Sequence, residues 1–351
     1  MRLIHLDDLT DDMVLGRSIL NEDGKILLGA DCKNLSKYKE KLFGLGIQHI
    51  YINDELSSDI IIEDVISEET RLQTQNIIKK TMNNVQFNKE LDYDSIKSVI
   101  VSIIEEILQN KNINSKLTDI RTMDGYTFNH SVNVSVLSLI MGKAMNYNYS
   151  QLLDLGIGAL LHDIGKILIP PVILNKPSQL TYLERKLMEE HSKLGYECVK
   201  SNNQISSLAK YIIFSHHERL DGSGYPQKIT GESIHAFSKI VAIADVFDAM
   251  TSDRVYRKKW PVSETLEFLM SNTNHFDKNI INIFIKNIAA YPNGTMVKLS
   301  NGFTAIVKEQ NHRVPLRPII KVIIDNNDNV LEEPIYINLR DELSITIIDS
   351  N

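Results

Sequence analysis

The chain has 351 residues, of which 43% are hydrophobic and 24% charged, the composition of a globular protein long enough for two or three domains. Its formal net charge of -7 argues against a general nucleic-acid binder, so we expect no DNA or RNA partner. Its two cysteines are too few for a disulfide framework, and the acidic start "MRLIHLDDLTDDM" lacks the apolar core of a signal peptide, so we expect a cytoplasmic protein.

The predicted elements change character along the chain. Residues 1–62 have the pattern of short strands separated by turns, including an Asp23-Gly24 hairpin signal. This pattern predicts a small β-rich N-terminal domain. In residues 63–120 apolar residues recur at helical spacing, which we interpret as a helical linker. Residues 121–290 are predicted to form an apolar, glycine-containing helical domain, and residues 291–351, which alternate apolar and polar residues, a small C-terminal β domain.

The most apolar stretch of the chain, residues 152–174, does not have the pattern of a membrane span. Asp154, His162, Asp163 and Lys166 interrupt it, whereas a spanning helix needs about 20 predominantly apolar residues. We therefore predict no membrane span.

Histidines concentrate in the predicted helical domain. Ten are spread over the chain, but five fall between His130 and His217. His130 shares a helical face with apolar residues such as Val134 and Leu137, so it is predicted to point into a core. Desolvating several imidazoles and carboxylates together is tolerable only if something satisfies them, and a divalent metal does so. The sequence predicts a metal site with seven candidate donors: His130, His162, Asp163, His191, His216, His217 and Asp245.

The number and type of these donors indicate which metals they would bind. A single histidine on an apolar face is more often a core residue, so the prediction rests on the whole set. One tetrahedral site takes about four protein ligands, whereas seven donors suit two octahedral ions that share a bridging carboxylate. Mixed imidazole and carboxylate donors without thiolate favour iron or manganese over a structural zinc. We therefore expect two divalent ions, Fe or Mn.

The same residues lie in motifs that resemble a known family. The order His130, His162-Asp163, Asp245 resembles the HD superfamily of metal-dependent phosphohydrolases. "HDIGKILIPPVILNKPSQLTYLE", "HHERLDGSGYP" and "ADVFDAMTSDRVYR" resemble its HD-GYP branch, which hydrolyses the bacterial second messenger cyclic di-GMP. The resemblance covers about residues 126–290. It implies a mainly α fold, in which an HD-type helical bundle is flanked by a small N-terminal β-containing segment and a small C-terminal β domain.

The resemblance also implies roles for individual residues. The seven donors would be metal ligands, with Asp163 bridging, and Lys166 would contact the phosphate or assist the leaving group. Asp163 and Lys166 are therefore the catalytic candidates. The candidates for substrate binding are Lys166, Gly224, Tyr225, Pro226, Arg254 and Arg257.

Two positions depart from the family pattern. Ser192 follows His191 where many members have proline, and we expect this to adjust a turn without removing the ligand. Tyr126 stands where some members carry a glutamate that helps to hold a third metal, so we expect two ions rather than three.

The function predicted from these motifs is hydrolysis of cyclic di-GMP to pGpG, with further cleavage to GMP left open. Two metals can bridge a hydroxide for in-line attack and clamp the phosphoryl oxygens. Two alternatives stay open: a hydrolase of a cyclic GMP–AMP dinucleotide, and a non-catalytic sensor that passes the cyclic dinucleotide signal to a partner. A homodimer or a signalling partner bound through the N-terminal segment is also open.

Overall fold

The computed structural model describes residues 1–20, 26–62, 64–87, 89–109, 126–252, 260–311 and 314–350. The predicted Asp23-Gly24 hairpin and the predicted substrate contacts Arg254 and Arg257 lie outside these residues. The described chain divides into two compact units. Unit 1 holds the described residues of 1–65 and 285–351, and unit 2 those from 66 to 284.

Strands and helices follow one another in the order expected from the sequence, with strands at both ends and helices between them. The strands are β1 Arg2–His5, β2 Val14–Leu15, β3 Ile19–Leu20, β4 Ile26–Leu28, β5 His49–Asn53, β6 Met296–Leu299, β7 Thr304–Glu309, β8 Ile319–Ile324, β9 Val330–Asn338 and β10 Ile347–Ser350. The helices are α1 Lys39–Gly44, α2 Glu68–Gln86, α3 Tyr93–Gln109, α4 Tyr126–Ala144, α5 Tyr149–Leu161, α6 Pro171–Leu174, α7 Tyr182–Glu189, α8 His191–Val199, α9 Ser207–Ser215, α10 Ala236–Thr251, α11 Val262–Ser271 and α12 Lys278–Asn287.

Unit 1 brings the two β-rich ends of the chain together. Its N-terminal part has a three-stranded sheet in the order β1-β5-β2, and its C-terminal part a five-stranded antiparallel sheet in the order β10-β6-β7-β8-β9. The Leu3 amide donates to the Gly294 carbonyl at 3.0 Å, and the Lys321 ammonium donates to Asp59 at 2.7 Å. Buried isoleucines from both parts form one apolar cluster: Ile60, Ile62, Ile306 and Ile323. The division of the chain into four separate segments stays a prediction.

Unit 2 is a bundle in which α5 packs against α3, α4 and α9. The apolar stripe of α3 is buried here, and the Cγ2 atom of Ile100 lies against Gly156 of α5. A Cβ atom at Gly158 would come 2.5 Å from Cδ1 of Ile212, so glycine is what lets α5 approach α9 this closely. The mainly α fold with flanking β regions is confirmed. Within the described residues, no helix combines the length and the apolar character needed to cross a membrane.

Candidate metal centre

The seven predicted donors lie together in unit 2. They fall into two groups, and within each group one ligand atom per residue lies within 4.8 Å of the others. One group is Asp163, His191, His216 and His217, and the other is His130, His162 and Asp245. Residues from five different parts of the chain therefore meet, although metal ligation by each of them stays a prediction.

Asp163 belongs to the first group, but its two oxygens face imidazoles of both groups. Its Oδ1 atom is 3.4 Å from His191 Nε2 and 3.9 Å from His216 Nε2, and its Oδ2 atom is 3.5 Å from His130 Nε2 and 3.3 Å from His162 Nε2. The residue follows directly after His162, the C-cap of α5, and only 1% of it is exposed. Its two oxygens are thus arranged as in a carboxylate that bridges two cations.

Asp245, on α10, is the second carboxylate that faces both groups. Its Oδ1 atom is 3.1 Å from His130 Nε2 and 3.9 Å from His162 Nε2, while its Oδ2 atom is 3.8 Å from His217 Nδ1. The carboxylate is buried in an otherwise apolar helix, where it would be costly without partners.

Hydrogen bonds at Nδ1 turn the Nε2 atoms of four imidazoles toward the carboxylates. In three of them the Nδ1–H group donates to the backbone carbonyl three residues earlier in the chain, and in the fourth it donates to a carboxylate on another helix. The four bonds are His162 to Ala159 O at 2.7 Å, His191 to Met188 O at 2.7 Å, His216 to Ile213 O at 3.0 Å and His130 to Asp248 Oδ2 at 2.7 Å. Metal-ligating histidines usually make such a bond with the nitrogen that does not bind the metal, because it fixes the tautomer and the ring orientation.

Ser192, which stands where many family members have proline, does not move His191 away from the other donors. Helix α8 begins at His191, and the Ser192 hydroxyl donates to Glu189 O at 3.2 Å. His191 still faces Asp163, so the serine leaves the imidazole in position. The Tyr126 side chain lies outside the described residues, so the number of ions stays a prediction.

Buried polar atoms in the centre fit a metal ion. The Nε2 atom of His162 and the Oδ1 atom of Asp163 are buried, and neither has a hydrogen-bond partner in the described structure. Buried polar atoms are almost always paired in native proteins, and each unpaired one costs about 1–3 kcal/mol. A divalent cation between these atoms would satisfy both.

The protonation states of three of the donors, His216, His191 and Asp163, point the same way. Burial, and next the neighbouring imidazoles, holds the pKa of His216 well below its usual value, and burial lowers the pKa of His191 to about 4. Burial alone would raise the pKa of Asp163, but the His162 and Lys166 side chains outweigh it and hold that pKa well below its usual range. These groups are therefore in the deprotonated forms that bind metals.

Lys166 lies at the edge of the centre. Its ammonium is 2.5 Å from Asp163 Oδ2, and 22% of the side chain is exposed. The residue sits in a 3₁₀ turn, Ile164–Leu168, immediately after the His162-Asp163 pair. The position leaves the ammonium both beside the carboxylate and within reach of solvent, while its contact with a phosphate stays a prediction.

The Gly-Tyr-Pro loop folds back onto the histidine pair. The Tyr225 ring stacks on His217, with 4.6 Å between ring centroids and 29° between planes, and the Tyr225 amide donates to His217 O at 3.2 Å. A Cβ atom at Gly224 would lie 2.5 Å from His217 O, so only glycine fits. The Tyr225–Pro226 peptide is cis. The loop is therefore held beside His217, one of the candidate metal ligands.

Two residues that support this site were missed in the sequence. Glu218 is buried, and its Oε1 atom accepts from the amides of Gln227 at 2.7 Å and Lys228 at 3.2 Å, which anchors the far side of the loop. Asp248 is buried and holds His130. Both acids lie within motifs quoted in the sequence analysis: Glu218 directly follows the predicted ligand His217, and Asp248 is three residues after the predicted ligand Asp245.

The chain is similar to known phosphodiesterases. The family model described as "HD domain" matches residues 103–280, and the one described as "KOW domain associated with HD domain" matches residues 296–350. The chain is 33% identical over 247 residues to "Cyclic di-GMP phosphodiesterase PA4108" of Pseudomonas aeruginosa, which covers 70% of this chain and 60% of that protein. It is 28% identical over 327 residues to "Cyclic di-GMP phosphodiesterase PdeB" of Borreliella burgdorferi, with 84% of this chain and 86% of that protein covered.

A third relative carries a different substrate in its name. The chain is 38% identical over 128 residues to "3'3'-cGAMP-specific phosphodiesterase 2" of Vibrio cholerae, which covers 36% of this chain and 24% of that protein. The HD domain match alone spans just over half of the chain and includes all seven donors. The chain therefore belongs to the HD domain family, and its motifs are those of the HD-GYP branch.

Proposed function

We propose that unit 2 is a metal-dependent phosphodiesterase that hydrolyses cyclic di-GMP to pGpG. The observation that carries the proposal is the position of Asp163, whose two oxygens face two separate groups of imidazoles at 3.3–3.9 Å. The names of the Pseudomonas and Borreliella relatives support cyclic di-GMP as the substrate.

The seven donors would hold two divalent ions, with Asp163 bridging them. All seven are imidazoles or carboxylates, a donor set that favours iron or manganese over a structural zinc. When bound, such a pair of ions supplies a nucleophile from water and neutralises the charge of a phosphodiester.

The protein's own groups would bind and orient the substrate around that centre. The Lys166 ammonium adds a positive charge next to Asp163 and would contact a phosphoryl oxygen or the leaving group. Burial keeps the pKa of the Tyr225 hydroxyl well above its ordinary value, so this group stays a hydrogen-bond donor at neutral pH. Gly224 and Pro226 set the position of the Tyr225 ring beside His217, and Arg254 and Arg257 would hold the phosphate backbone.

The test is a product assay on protein loaded anaerobically with Fe²⁺ or Mn²⁺. Cyclic di-GMP is incubated with the protein, and pGpG and GMP are followed by chromatography. We expect pGpG from the unsubstituted protein and a loss of about 100-fold or more in Asp163→Ala, because the bridging carboxylate is gone. Asp94→Ala, which removes an exposed carboxylate at the start of α3, is the matched control and should keep full activity.

A second candidate substrate is a cyclic GMP–AMP dinucleotide, favoured by the similarity to the Vibrio cholerae enzyme. The same assay with both dinucleotides at equal concentration separates the candidates by their kcat/KM values. Binding of cyclic di-GMP without product from either metal-loaded form would instead support a sensor, and would contradict the proposed hydrolase. A second copy or a signalling partner bound through the N-terminal segment stays a prediction.

A further inference from the structure

Helix α2 contributes a buried arginine to the surroundings of the metal centre, although it lies before the residues matched by the HD domain model, 103–280. Arg71 is only 5% exposed, and its guanidinium donates to Asn133 Oδ1 at 2.9 Å. An arginine cannot be deprotonated in a protein, so its buried charge needs compensating contacts.

The hydrogen bond from Arg71 is the first of three that end on a predicted metal ligand. Asn133 Nδ2 donates to Asp248 Oδ1 at 2.8 Å, and His130 Nδ1 donates to Asp248 Oδ2 at 2.7 Å. Asn133, Asp248 and His130 are each 2% exposed. The chain of bonds thus runs through the protein interior, from α2 through α4 and α10 to the His130 ring.

The chemistry of the two ends fixes the direction of every bond. A guanidinium can only donate and an ionised carboxylate can only accept, so the Asn133 amide must turn its oxygen to Arg71 and its NH₂ group to Asp248. Without the guanidinium the amide oxygen loses this charged donor, so the orientation in which Asn133 donates to Asp248 is held less firmly. Arg71 therefore supports the arrangement in which Asp248 accepts from Asn133 with one oxygen and from His130 with the other.

Helix α2 is held against the helix that carries His130. One turn after Arg71, the Gln75 side chain donates to Asn129, the residue directly before His130. The start of α2 is fixed by Glu106 of α3, which accepts from the Ser67 hydroxyl at 2.9 Å and from the Thr70 hydroxyl at 2.5 Å. A helix fixed at its start and bonded at two places to α4 is suited to hold a side chain of α4 in one orientation.

We propose that Arg71 is a positioning residue for the metal centre: through Asn133 and Asp248 it orients the His130 imidazole so that Nε2 faces the ion. The inference rests on the proposed metal centre. It extends the functional site beyond the HD domain match to α2, so that a displacement of this helix would change the orientation of a ligand.

The first experiment measures Mn²⁺ affinity by calorimetry on metal-free protein, which needs no turnover. Loss of a direct partner of a ligating histidine typically costs about 10- to 100-fold in metal affinity, and Arg71 is two bonds further away, so we expect Arg71→Met to weaken binding about 3- to 10-fold. Lys80→Met is the matched control, because it removes a cation from the exposed face of the same helix. It should bind Mn²⁺ within about twofold of the unsubstituted protein.

A double-mutant cycle tests whether Arg71 acts through the proposed bonds. If it does, Arg71→Met should weaken Mn²⁺ binding much less in the background of Asp248→Asn than in the unsubstituted protein, because the connection to His130 is already altered. Additive effects of the two substitutions would overturn the inference. The visible spectrum of the Co²⁺-loaded protein gives a second readout, because it changes when a ligand is reoriented.

Arg71→Lys keeps the inference testable if Arg71→Met does not fold. Lysine preserves the charge and the apolar stem but replaces the planar fork, so we expect an apparent affinity between those of Arg71→Met and the unsubstituted protein. Folded Arg71→Met or Arg71→Lys protein that binds Mn²⁺ as tightly as the unsubstituted chain, with the same Co²⁺ spectrum, would overturn this inference alone. Failure of the unsubstituted protein to bind Mn²⁺ or Fe²⁺ would instead overturn the proposed metal centre itself.

Discussion

Binding of an ion at this centre should displace a proton from His130, so apparent metal affinity should rise with pH. Burial alone would lower the pKa of His130, but hydrogen bonds to Asp245 and Asp248 outweigh it and raise the pKa to about 9. At neutral pH the metal-free ring therefore carries a proton on both nitrogens, and Nε2 cannot bind an ion until one proton leaves.

The loss of apparent metal affinity depends on the difference between the working pH and the pKa of His130. Below the pKa of about 9, each decrease of one pH unit lowers the apparent metal affinity about tenfold, which corresponds to about 1.4 kcal/mol. Between pH 6.5 and 8.5 the affinity should therefore rise by about 100-fold, and the increase should level off above pH 9. His191 and Asp163 do not add to this slope, because their lowered pKa values leave them deprotonated throughout the range.

The assay is Mn²⁺ titration by calorimetry in two buffers of different ionisation enthalpy, which counts the protons released. We expect about one proton per chain at pH 7. His5→Gln, which removes a histidine of unit 1, should leave both the slope and the proton count unchanged. An affinity that is equal at pH 6.5 and 8.5, with no proton released, would refute the reasoning.

Three further substitutions test single contacts. Lys166→Met should keep the metal content but lower kcat/KM for cyclic di-GMP by about 100-fold, because a positioned charge is lost; metal analysis and steady-state kinetics check this. Gly224→Ala should displace the loop from His217, which costs about 1–3 kcal/mol, so kcat/KM should fall while Mn²⁺ affinity measured by calorimetry stays the same. Asp59→Asn should destabilise unit 1 by about 1 kcal/mol in urea unfolding. Burial alone would raise the pKa of Asp59, but Lys321, Lys308 and Tyr336 outweigh it and lower that pKa, which means that the folded protein stabilises the ionised carboxylate. This contribution is present above about pH 4, so the difference between Asp59→Asn and the unsubstituted protein should narrow as the pH falls below that value.

The donors could be predicted from the sequence because most of them are polar residues within an apolar helical run or at its end. Such a residue is conspicuous locally, and several of them in one segment indicate a shared ligand. The C-terminal β region was predictable for a similar reason: Asn301-Gly302 is a turn signal, and Gly302 has φ of +86° between the paired strands β6 and β7. In both cases the information lies within a few neighbouring residues.

The contacts that could not be predicted join residues far apart in the chain. Arg71 and Asn133 are separated by 62 positions, and Asp59 and Lys321 by 262. Neither pair is marked by a local pattern, because an arginine or a lysine is usually solvent-exposed and its distant partner leaves no periodic signal in the sequence. The association of the two β-rich ends in unit 1, and the contribution of α2 to the centre, therefore become visible only in the folded chain.

The adjacent histidines at the end of α9 illustrate what a local pattern can imply about a site. Successive side chains on a helix point about 100° apart, so neighbours in a regular helix seldom serve one ligand. Here the helix ends at Ser215, and the pair reaches two different carboxylates: His216 Nε2 is 3.9 Å from Asp163 Oδ1, and His217 Nδ1 is 3.8 Å from Asp245 Oδ2. Two imidazoles directed at two carboxylates from one helix end would be redundant for a single four-ligand ion. Their divergence is explained if both carboxylates are shared between cations, which is the arrangement that hydrolysis of a phosphodiester by two metals needs.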